Sequence, residues 1–179
     1  YVPFVSSFAM FAAGRAFEQI RNSIGYPHLN VKIAATHAGL SVGEDGASHQ
    51  CCEDIALMRS IPGMVILSPS DDVEARGAVI AAYNYNGPVY LRFSRLATPV
   101  YHDPATYQFQ IGKGERLTEG YDIAVIATGL MVPEALRAAV LAKRQGISIR
   151  VINMPTIKPI DEEIILTAAR ECRRIITVE

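Results

Sequence analysis

The sequence has almost no charge imbalance, because 17 lysine and arginine residues offset 18 aspartate and glutamate residues in a chain of 179. Basic residues never extend beyond single pairs such as Lys143-Arg144 and Arg173-Arg174. A protein that binds nucleic acid needs a basic patch to neutralise phosphates. The composition therefore gives little support to a nucleic-acid partner, and we expect none.

Cysteine is also scarce. The chain has three cysteines: Cys51 and Cys52 are adjacent, and Cys172 lies far along the sequence. Three cysteines cannot form a complete disulfide framework, and their spacing does not fit a zinc site. We expect buried free thiols in a reducing compartment, and therefore a cytoplasmic protein.

Long hydrophobic runs are absent as well. No apolar run approaches the roughly 20 residues of a membrane span, and no signal peptide opens the chain. We therefore expect no membrane partner. The first residues, YVPFVSSF, contain no methionine and look like the middle of a domain. We expect that sequence is missing at both ends.

Several catalytic and binding motifs are missing. Neither GxGxxG nor GxxxxGK[ST] occurs, so dinucleotide binding and P-loop phosphate binding have no fingerprint. No GxSxG elbow supports a hydrolase triad. Cys51 or Cys52 could act as a nucleophile near His49, but no sign of thiolate activation accompanies them, and we do not favour this role.

The sequence does contain a regular alternation of helix-like and strand-like segments. Ser6-Ser7 is a possible cap of the first helix, and Ser70 or Asp71 caps the third. Strand and helix alternate with short joints, which is typical of a parallel sheet covered by helices. In chain order, we predict a helix over 8–24, a strand over 31–36, a helix over 53–61, a strand over 64–68, a helix ending at Gly87-Pro88 and a strand over 89–94.

The pattern stops and then restarts. Residues 96–110, LATPVYHDPATYQFQ, include two prolines and have no clear period, so we interpret them as a linker. Beyond them we predict strands over 122–128, 147–153 and 174–179, with helices over 132–145 and 161–170. The fold class is therefore α/β, with domains at 1–95 and 111–179.

The segment THAGLSVGEDGASHQ, residues 36–50, directly follows a predicted strand. Ligands of open α/β sheets bind beyond the carboxyl ends of the strands, so His37, Asp45 and His49 could form a polar site there. The alternative is that Asp45 caps a turn and both histidines are solvated. Spacing alone does not separate these two interpretations.

Two further groups are candidates for binding. Arg95 is predicted at the carboxyl end of the strand over 89–94, where it could join His37 in gripping a phosphate. Taken alone, Arg95 would more simply be a surface arginine. Phe8 and Phe11 share a helix face at i, i+3, a spacing that usually indicates core packing. The functional alternative is a wall of a pocket for a flat ring.

Three segments together resemble the pyrimidine-binding domain of transketolase: FVSSFAMFAAGRAFEQIR, THAGLSVGEDGASHQ and SIPGMVILSPSDDVEA. IGKGERLTEGYDIAVIATG and INMPTIKPIDEEII resemble the start of the C-terminal domain of that family. The resemblance covers nearly the whole chain and is closest to the C-terminal half of a split, two-gene transketolase. It implies a parallel-sheet thiamine-diphosphate pyrimidine-binding domain, incomplete at its N-terminus, followed by a smaller, truncated α/β domain.

The resemblance implies an activity and cofactor contacts. Transketolases transfer a two-carbon ketol unit from a ketose phosphate to an aldose phosphate with thiamine diphosphate. Phe8 and Phe11 match the aromatic positions around the aminopyrimidine ring, and His49 matches the catalytic histidine beside the reacting centre. Many transketolases have a third aromatic residue where this chain has Gly14, so the ring pocket must be completed differently.

The same resemblance implies substrate contacts. Asp45 matches the aspartate that contacts a sugar hydroxyl, while His37 and Arg95 match the pair that grips the sugar phosphate. His37 is also a candidate catalytic residue, since histidine suits proton transfer near neutral pH. The expected substrates are phosphorylated sugars.

Parts of the family machinery are expected elsewhere. The glutamate that contacts the pyrimidine ring lies in a GIAEQNM-like segment expected before Tyr1, and a GDG…N motif in the N-terminal half holds magnesium and the diphosphate. The EDG at 44–46 lacks that context, so we predict no metal ligand in this chain. The implied partner is an N-terminal half or subunit, in a dimer of such pairs, and this chain alone should be inactive.

Alternatives remain at this point. 1-Deoxyxylulose-5-phosphate synthase shares the architecture, but it typically has an acidic residue where this chain has His37. The β subunits of 2-oxoacid dehydrogenases share the fold without this loop. A non-catalytic interaction subunit could also keep the fold.

Overall fold

A computed structural model describes residues 1–179 and contains two sheets. The first sheet has five strands in the order β1-β2-β4-β3-β8. Strands β1 to β4 are mutually parallel, and β8 runs antiparallel to β3. The bounds are β1 Phe4–Phe8, β2 Lys32–Thr36, β3 Val65–Leu67, β4 Val89–Arg92 and β8 Thr156–Lys158.

Helical segments cover both faces of this sheet. Residues 10–25 form an irregular helical segment, with π-helical turns Met10–Arg15 and Ile20–Gly25 on either side of the short helix α1, Phe17–Gln19. Helix α2 spans Asp54–Arg59, and α3 spans Asp72–Asn84. The carboxylate of Asp71 caps α3 by accepting a 2.8 Å hydrogen bond from the backbone N–H of Glu74. Asp71 is therefore the cap, of the two residues predicted for that role.

The central strands of this sheet are apolar because helices pack on both sides of them. One core cluster joins Ile33, Ile66 and Tyr90 to the 10–25 segment and α2. A second cluster joins Leu67 and Leu91 to α3 on the other face. Burial on both faces explains why these strands have nearly continuous apolar sequences.

The start of the chain differs from the sequence prediction. Phe8 is the last residue of β1, and Ser6 and Ser7 lie inside that strand, so they do not cap a helix. Phe8 and Phe11 therefore do not share a helix face. The segment FAMFAAGRAF fits helical spacing, but pairing of β1 with β2 along Phe4–Phe8 keeps its first residue extended.

The second sheet has four strands in the order β5-β7-β6-β9, in which β5 is antiparallel and the others are parallel. Helices α4 and α5 pack against it. The bounds are β5 Glu115–Arg116, β6 Ile123–Ala127, α4 Met131–Lys143, β7 Ile149–Asn153, α5 Glu162–Glu171 and β9 Arg174–Val178. The three parallel strands and both helices lie where the sequence predicted them.

The C-terminal part of the chain contributes one strand to the first sheet. After β7, the chain crosses back and adds β8 to the edge of the first sheet beside β3. The backbone N–H of Ser68 donates to the carbonyl of Pro155 at 2.7 Å, and Lys158 Nζ donates to the carbonyl of Ile61 at 2.7 Å. Strands β8 and β5, which are three and two residues long, were not predicted from the sequence.

Residues 96–110 contain no helix or strand, but they are tightly held. The ring of buried His102 lies between Asp71 Oδ2, at 3.0 Å from Nδ1, and Glu115 Oε2, at 2.9 Å from Nε2. Tyr107 donates a 2.7 Å hydrogen bond to Glu74 Oε1, which also accepts from Asn153 Nδ2. This network joins α3 to β5 and β7.

The three thiols are free, but they are not all buried. Cys51 and Cys172 are buried and Cys52 is exposed, which corrects the prediction for Cys52. Burial, together with the negative charges of Asp54 and Glu53, raises the pKa of the Cys51 thiol to about 11. Cys51 is therefore protonated near neutral pH and is not an activated nucleophile.

None of the helices is long and apolar enough to cross a membrane.

Candidate functional site

The loop over 36–50 begins at the carboxyl end of β2, next to the carboxyl end of β1. The parallel register pairs Phe8 with Thr36, so the last side chain of β1 lies beside the first residues of the loop. The rings of Phe8 and His37 stack with centroids 3.9 Å apart and planes 14° from parallel. His37 has a positive φ of 58°, which is uncommon for a residue other than glycine.

Four rings meet at this edge of the sheet. Phe8 and Phe11 are stacked with centroids 5.9 Å apart and planes 4° from parallel. His49, from the other end of the loop, approaches Phe8 edge-on at 5.8 Å and Phe11 edge-on at 5.1 Å. We call Phe8, Phe11, His37 and His49 the ring cluster. It unites four of the sequence-predicted site residues, and all four are partly exposed.

Each histidine of the ring cluster has a neighbouring hydroxyl group. His37 Nδ1 lies 3.0 Å from Thr36 Oγ1, and His49 Nδ1 lies 2.9 Å from Ser48 Oγ. The Nε2 atom of each ring has no hydrogen-bond partner within the chain. When a hydroxyl donates to Nδ1, the proton of a neutral imidazole resides on Nε2, which is then free to donate to a ligand.

Gly39 and Cys51 bring the two ends of the loop together, and we call this pair of residues the neck of the loop. Gly39 and Cys51 exchange backbone hydrogen bonds of 2.9 and 3.1 Å, and the N–H of Ala38 donates to the carbonyl of Phe93. Gly39 has φ +81°, a conformation that a residue with a Cβ rarely adopts. The neck therefore ties the loop to the end of β4 and returns the chain next to where it left the sheet.

Arg95 does not end its strand as predicted. Strand β4 ends at Arg92, and Arg95 lies three residues further, because backbone pairing with β2 stops at Ala35–Arg92. Arg95 Nη2 donates to Glu44 Oε1 at 3.0 Å, and a Cβ on Gly43 would lie 3.1 Å from Arg95 Nη1. Arg95 thus packs on the same loop as the ring cluster, but its side-chain partner is Glu44 and not His37.

Asp45 lies at the end of a short 3-10 turn, Gly43–Asp45, and is exposed. Its carboxylate makes no hydrogen bond within the chain, and its carbonyl is 3.5 Å from Ser48 Oγ. Asp45 is thus available to a ligand.

The structure also shows what occupies the space beside Gly14. A Cβ added to Gly14 would lie 2.3 Å from Cε of Met10, one helical turn earlier. The flexible side chain of Met10 therefore fills the space in which a side chain at position 14 would lie. An aromatic ring at position 14 would have to displace it.

Sequence reasoning missed a buried charge cluster beneath the loop. Arg92 Nε donates to Asp54 Oδ2 at 2.8 Å, and the hydroxyl of Tyr90 donates to the same oxygen at 2.9 Å. Burial alone would lower the pKa of Arg92, but the hydrogen bond and charge of Asp54 raise it above its ordinary value. A signal was present, since Arg92 interrupts the apolar run VYLRF.

No group of three or more histidine, cysteine, aspartate or glutamate side chains is arranged to hold a metal ion. The residues present do not fit a magnesium site. They suit contact with a flat, partly polar ring, because Phe8 and Phe11 are partly exposed and two histidines offer free Nε2 atoms. His37 already stacks on Phe8, and the guanidinium carbon of Arg15 lies 4.9 Å from the centre of the Phe11 ring.

Two family models match this chain over almost its whole length. Residues 1–100 match the family described as transketolase, pyrimidine binding domain, and residues 112–179 match transketolase, C-terminal domain. The chain belongs to the transketolase family.

Individual relatives agree with this assignment. A putative transketolase C-terminal section from Methanocaldococcus jannaschii is 55% identical over 165 residues, which cover 92% of this chain and 52% of the relative. One of the subunits of an apulose-4-phosphate transketolase from Phocaeicola vulgatus is 39% identical over 98% of this chain and 56% of the relative. Human transketolase is 40% identical over 99% of this chain, but only 29% of the human protein is covered.

A solved structure described as a split gene transketolase, inactive beta4 tetramer, superposes with a TM-score of 0.92 at 48% identity. The match covers 99% of this chain and 57% of that one. The chain therefore spans about half the length of the split-subunit relatives it matches.

Proposed function

We propose that this chain is the C-terminal section of a thiamine-diphosphate-dependent transketolase. In this role it transfers a two-carbon ketol unit between phosphorylated sugars when paired with an N-terminal partner subunit. The observation that carries the proposal is the ring cluster. Four rings from the end of β1, the π-helical turn after it and the loop over 36–50 converge at one edge of the sheet, with free histidine nitrogens.

We further propose a role for each side chain. Phe8 and Phe11 would hold the apolar face of the aminopyrimidine ring of the cofactor. His49 Nε2, kept available by Ser48, would hydrogen-bond the sugar and move a proton at its hydroxyl. When bound, thiamine diphosphate supplies a carbanion that no amino-acid side chain can provide.

The substrate contacts follow from the outer part of the loop. The exposed carboxylate of Asp45 would accept a hydrogen bond from a sugar hydroxyl, and Arg95 with His37 would hold the phosphate. Arg95 lies against Glu44, which is 81% exposed, so a phosphate could replace this weakly held carboxylate.

We propose that magnesium and the diphosphate are held by the N-terminal partner, in a dimer of such pairs. Two observations support this. This chain lacks a metal-binding cluster, and its relatives include separate transketolase subunits. We also propose domains at 1–95 and 111–179 joined by 96–110, a division close to the matched family ranges.

Reconstitution tests this proposal. The complete C-terminal section alone should show no ketol transfer, and addition of the N-terminal partner should produce transfer that requires thiamine diphosphate and magnesium. The similar split-gene protein described as an inactive tetramer supports the first half of this expectation. The measurement is the rate of ketose phosphate consumption with each chain alone and with both.

A matched variant makes the test specific. Phe11→Ala should weaken thiamine diphosphate binding in the assembled pair, whereas Phe109→Ala, which removes a ring on the α3 side, should not. Transfer by the C-terminal section without a partner would contradict the division of labour. Folded pairs that bind no thiamine diphosphate would favour a non-catalytic interaction subunit.

A further inference from the structure

The neck of the site loop rests on one buried arginine. Arg92 is the last residue of β4, pairs with Ala35 of β2 and has only 10% of its side chain exposed. On one side of the neck, a Cβ at Gly39 would lie 3.6 Å from Arg92 Nη2. On the other side, Arg92 Nε binds Asp54, the first residue of the helix that follows the loop. Arg92 thus contacts both segments of chain that enter and leave the loop.

Asp54 depends on this arginine. Its side chain is fully buried, and its Oδ2 accepts both the Arg92 and the Tyr90 hydrogen bonds, while Oδ1 has no partner. Burial and the charge of Asp54 raise the pKa of Tyr90, so this hydroxyl stays a neutral donor. Without Arg92, Asp54 would be a buried carboxylate with no countercharge, which is strongly destabilising. Asp54 would then move toward water and draw the neck with it.

The same guanidinium group reaches the second sheet. Arg92 Nη2 lies 3.0 Å from Oε1 of Glu179, which follows β9. This is a charge pair outside hydrogen-bond geometry, because Nη2 has no hydrogen-bond partner. Both side chains line a cavity of about 410 Å³ between the two sheets. The position of the second sheet is therefore connected electrostatically to the neck of the loop.

We propose that Arg92 is a positioning residue that holds the neck of the site loop and couples it, through Glu179, to the second sheet. The hydrogen bond and ion pairs of Arg92 are with Asp54 and Glu179, and none is with the ring cluster. It acts by fixing the Gly39–Cys51 neck from which His37 and His49 project. The expected consequence for catalysis rests on the proposed function, whereas the structural part does not.

Hydrogen exchange tests the structural part directly. The amides of Gly39 and Cys51, which bond each other's carbonyl groups, report the neck, and the amide of Ile126 in β6 reports global stability. In Arg92→Met, exchange at the two neck amides should accelerate on the order of tenfold beyond any change at Ile126. Arg150→Met is the matched control, since Arg150 is another buried strand arginine, in β7 of the second sheet and paired with Glu171 of α5. It should accelerate exchange at Ile126, whose strand pairs with β7, and leave the two neck amides unchanged.

Milder variants keep the proposal testable if Arg92→Met does not fold. Glu179→Gln should accelerate neck exchange by a smaller factor, and Arg92→Lys, with one point charge, should satisfy Asp54 or Glu179 but not both. Equal acceleration at Ile126 and at the neck in every variant would reduce Arg92 to a general stabiliser. Unchanged exchange at the two neck amides in Glu179→Gln would contradict the proposed coupling to the second sheet.

Kinetics of the assembled pair separate this proposal from the proposed function. Arg92→Met should lower kcat/KM equally for phosphorylated and unphosphorylated acceptors, because it displaces the loop as a whole. If the neck amides exchange faster in Arg92→Met but the unmodified pair shows no ketol transfer, the proposed function is wrong and the positioning role of Arg92 stands. Normal kcat/KM with a loosened neck would overturn the catalytic consequence alone.

Discussion

At the scale of single residues, the hydroxyl beside each histidine decides what the imidazole can do. Ser48 Oγ lies 2.9 Å from His49 Nδ1, so the opposite nitrogen remains free at the ring cluster. A proton-transfer group needs this arrangement, because one nitrogen must be fixed while the other reaches the substrate. Sequence alone showed the SHQ triplet but not which nitrogen was free.

His49→Ala should therefore lower kcat of the assembled pair by about 10²-fold or more, the usual effect of losing a positioned acid–base group. Affinity for thiamine diphosphate should change less, since the contacts proposed with its ring are made by Phe8 and Phe11, which this variant keeps. Ser48→Ala is the graded control, with a smaller loss of kcat. Steady-state kinetics with near-normal kcat in His49→Ala would make His49 a structural loop residue.

Arg95 provides the second prediction at this scale. A charge-assisted bond to phosphate is worth ~1.5–3 kcal/mol, so Arg95→Ala should lower kcat/KM for phosphorylated acceptors by roughly 10- to 100-fold. Unphosphorylated acceptors should be almost unaffected. Glu44→Gln is the opposite control, because it removes the carboxylate that competes for Arg95 and should raise kcat/KM for phosphorylated acceptors slightly. Equal losses on both kinds of acceptor in Arg95→Ala would show that Arg95 supports the fold.

At the scale of elements, the irregular segment over 96–110 is fixed by one histidine. Burial alone would lower the pKa of His102, but hydrogen bonds to Glu115 and Asp71 raise it to about 8. Burial alone would also raise the pKa of Asp71, but hydrogen bonds from Glu74, His102 and Tyr101 lower it below its ordinary value. A protonated His102 thus joins the N-terminus of α3 to β5 between two carboxylates.

Stability should depend on pH through this histidine. The folded pKa of about 8 exceeds the unfolded value of 6.5, so the contribution is complete below pH 6.5 and is lost as pH rises through 8. A shift of this size corresponds to about 2 kcal/mol of unfolding free energy. The measurement is the free energy of unfolding in urea at several pH values. The unmodified chain should be more stable than His102→Gln by this amount below pH 6.5, and the two free energies should converge above pH 9. A pH-independent difference would mean that His102 contributes only by packing.

The helical segment over 10–25 shows a different effect at the same scale. Backbone N–H groups such as those of Ala16 and Tyr26 bond to carbonyl groups five residues earlier. Such π-helical turns are rare and often lie at functional sites. Here the first of them carries Phe11 and follows β1 after one residue, so it presents Phe11 parallel to Phe8.

At the scale of the whole molecule, the two sheets are not independent. Strand β8 follows β7 of the second sheet but pairs with β3 of the first, the 96–110 segment binds both halves, and Arg92 meets Glu179 between them. The ring cluster thus lies on a sheet whose opposite edge and loop neck are both held by the C-terminal part of the chain. The two sheets are therefore held to each other at several separate places.

The alternation of strands and helices could be predicted from the amino-acid sequence, because β2, β3, β4, β6 and β7 are largely apolar runs whose burial requires a covered parallel sheet. It also pointed to His37, Asp45, His49 and Arg95 through one glycine-rich loop and one strand end. The proposed roles of Asp45 and His49 came from the resemblance to transketolases, whereas the phosphate role of His37 and Arg95 was also suggested by their predicted positions at two strand ends. The family assignment was confirmed because the motifs follow one another in the right order over nearly the whole chain.

Tertiary structure alone decided the rest. Phe8 became a strand residue because β1 pairs with β2, and this parallel register placed its ring on His37. Strands β5 and β8 are too short to show a period and exist only through their partners. The contacts of Arg92 with Asp54 and Glu179 join positions 38 and 87 residues apart, which no local pattern records. Local sequence sets which segments must be buried, whereas pairing between distant segments decides which side chains meet.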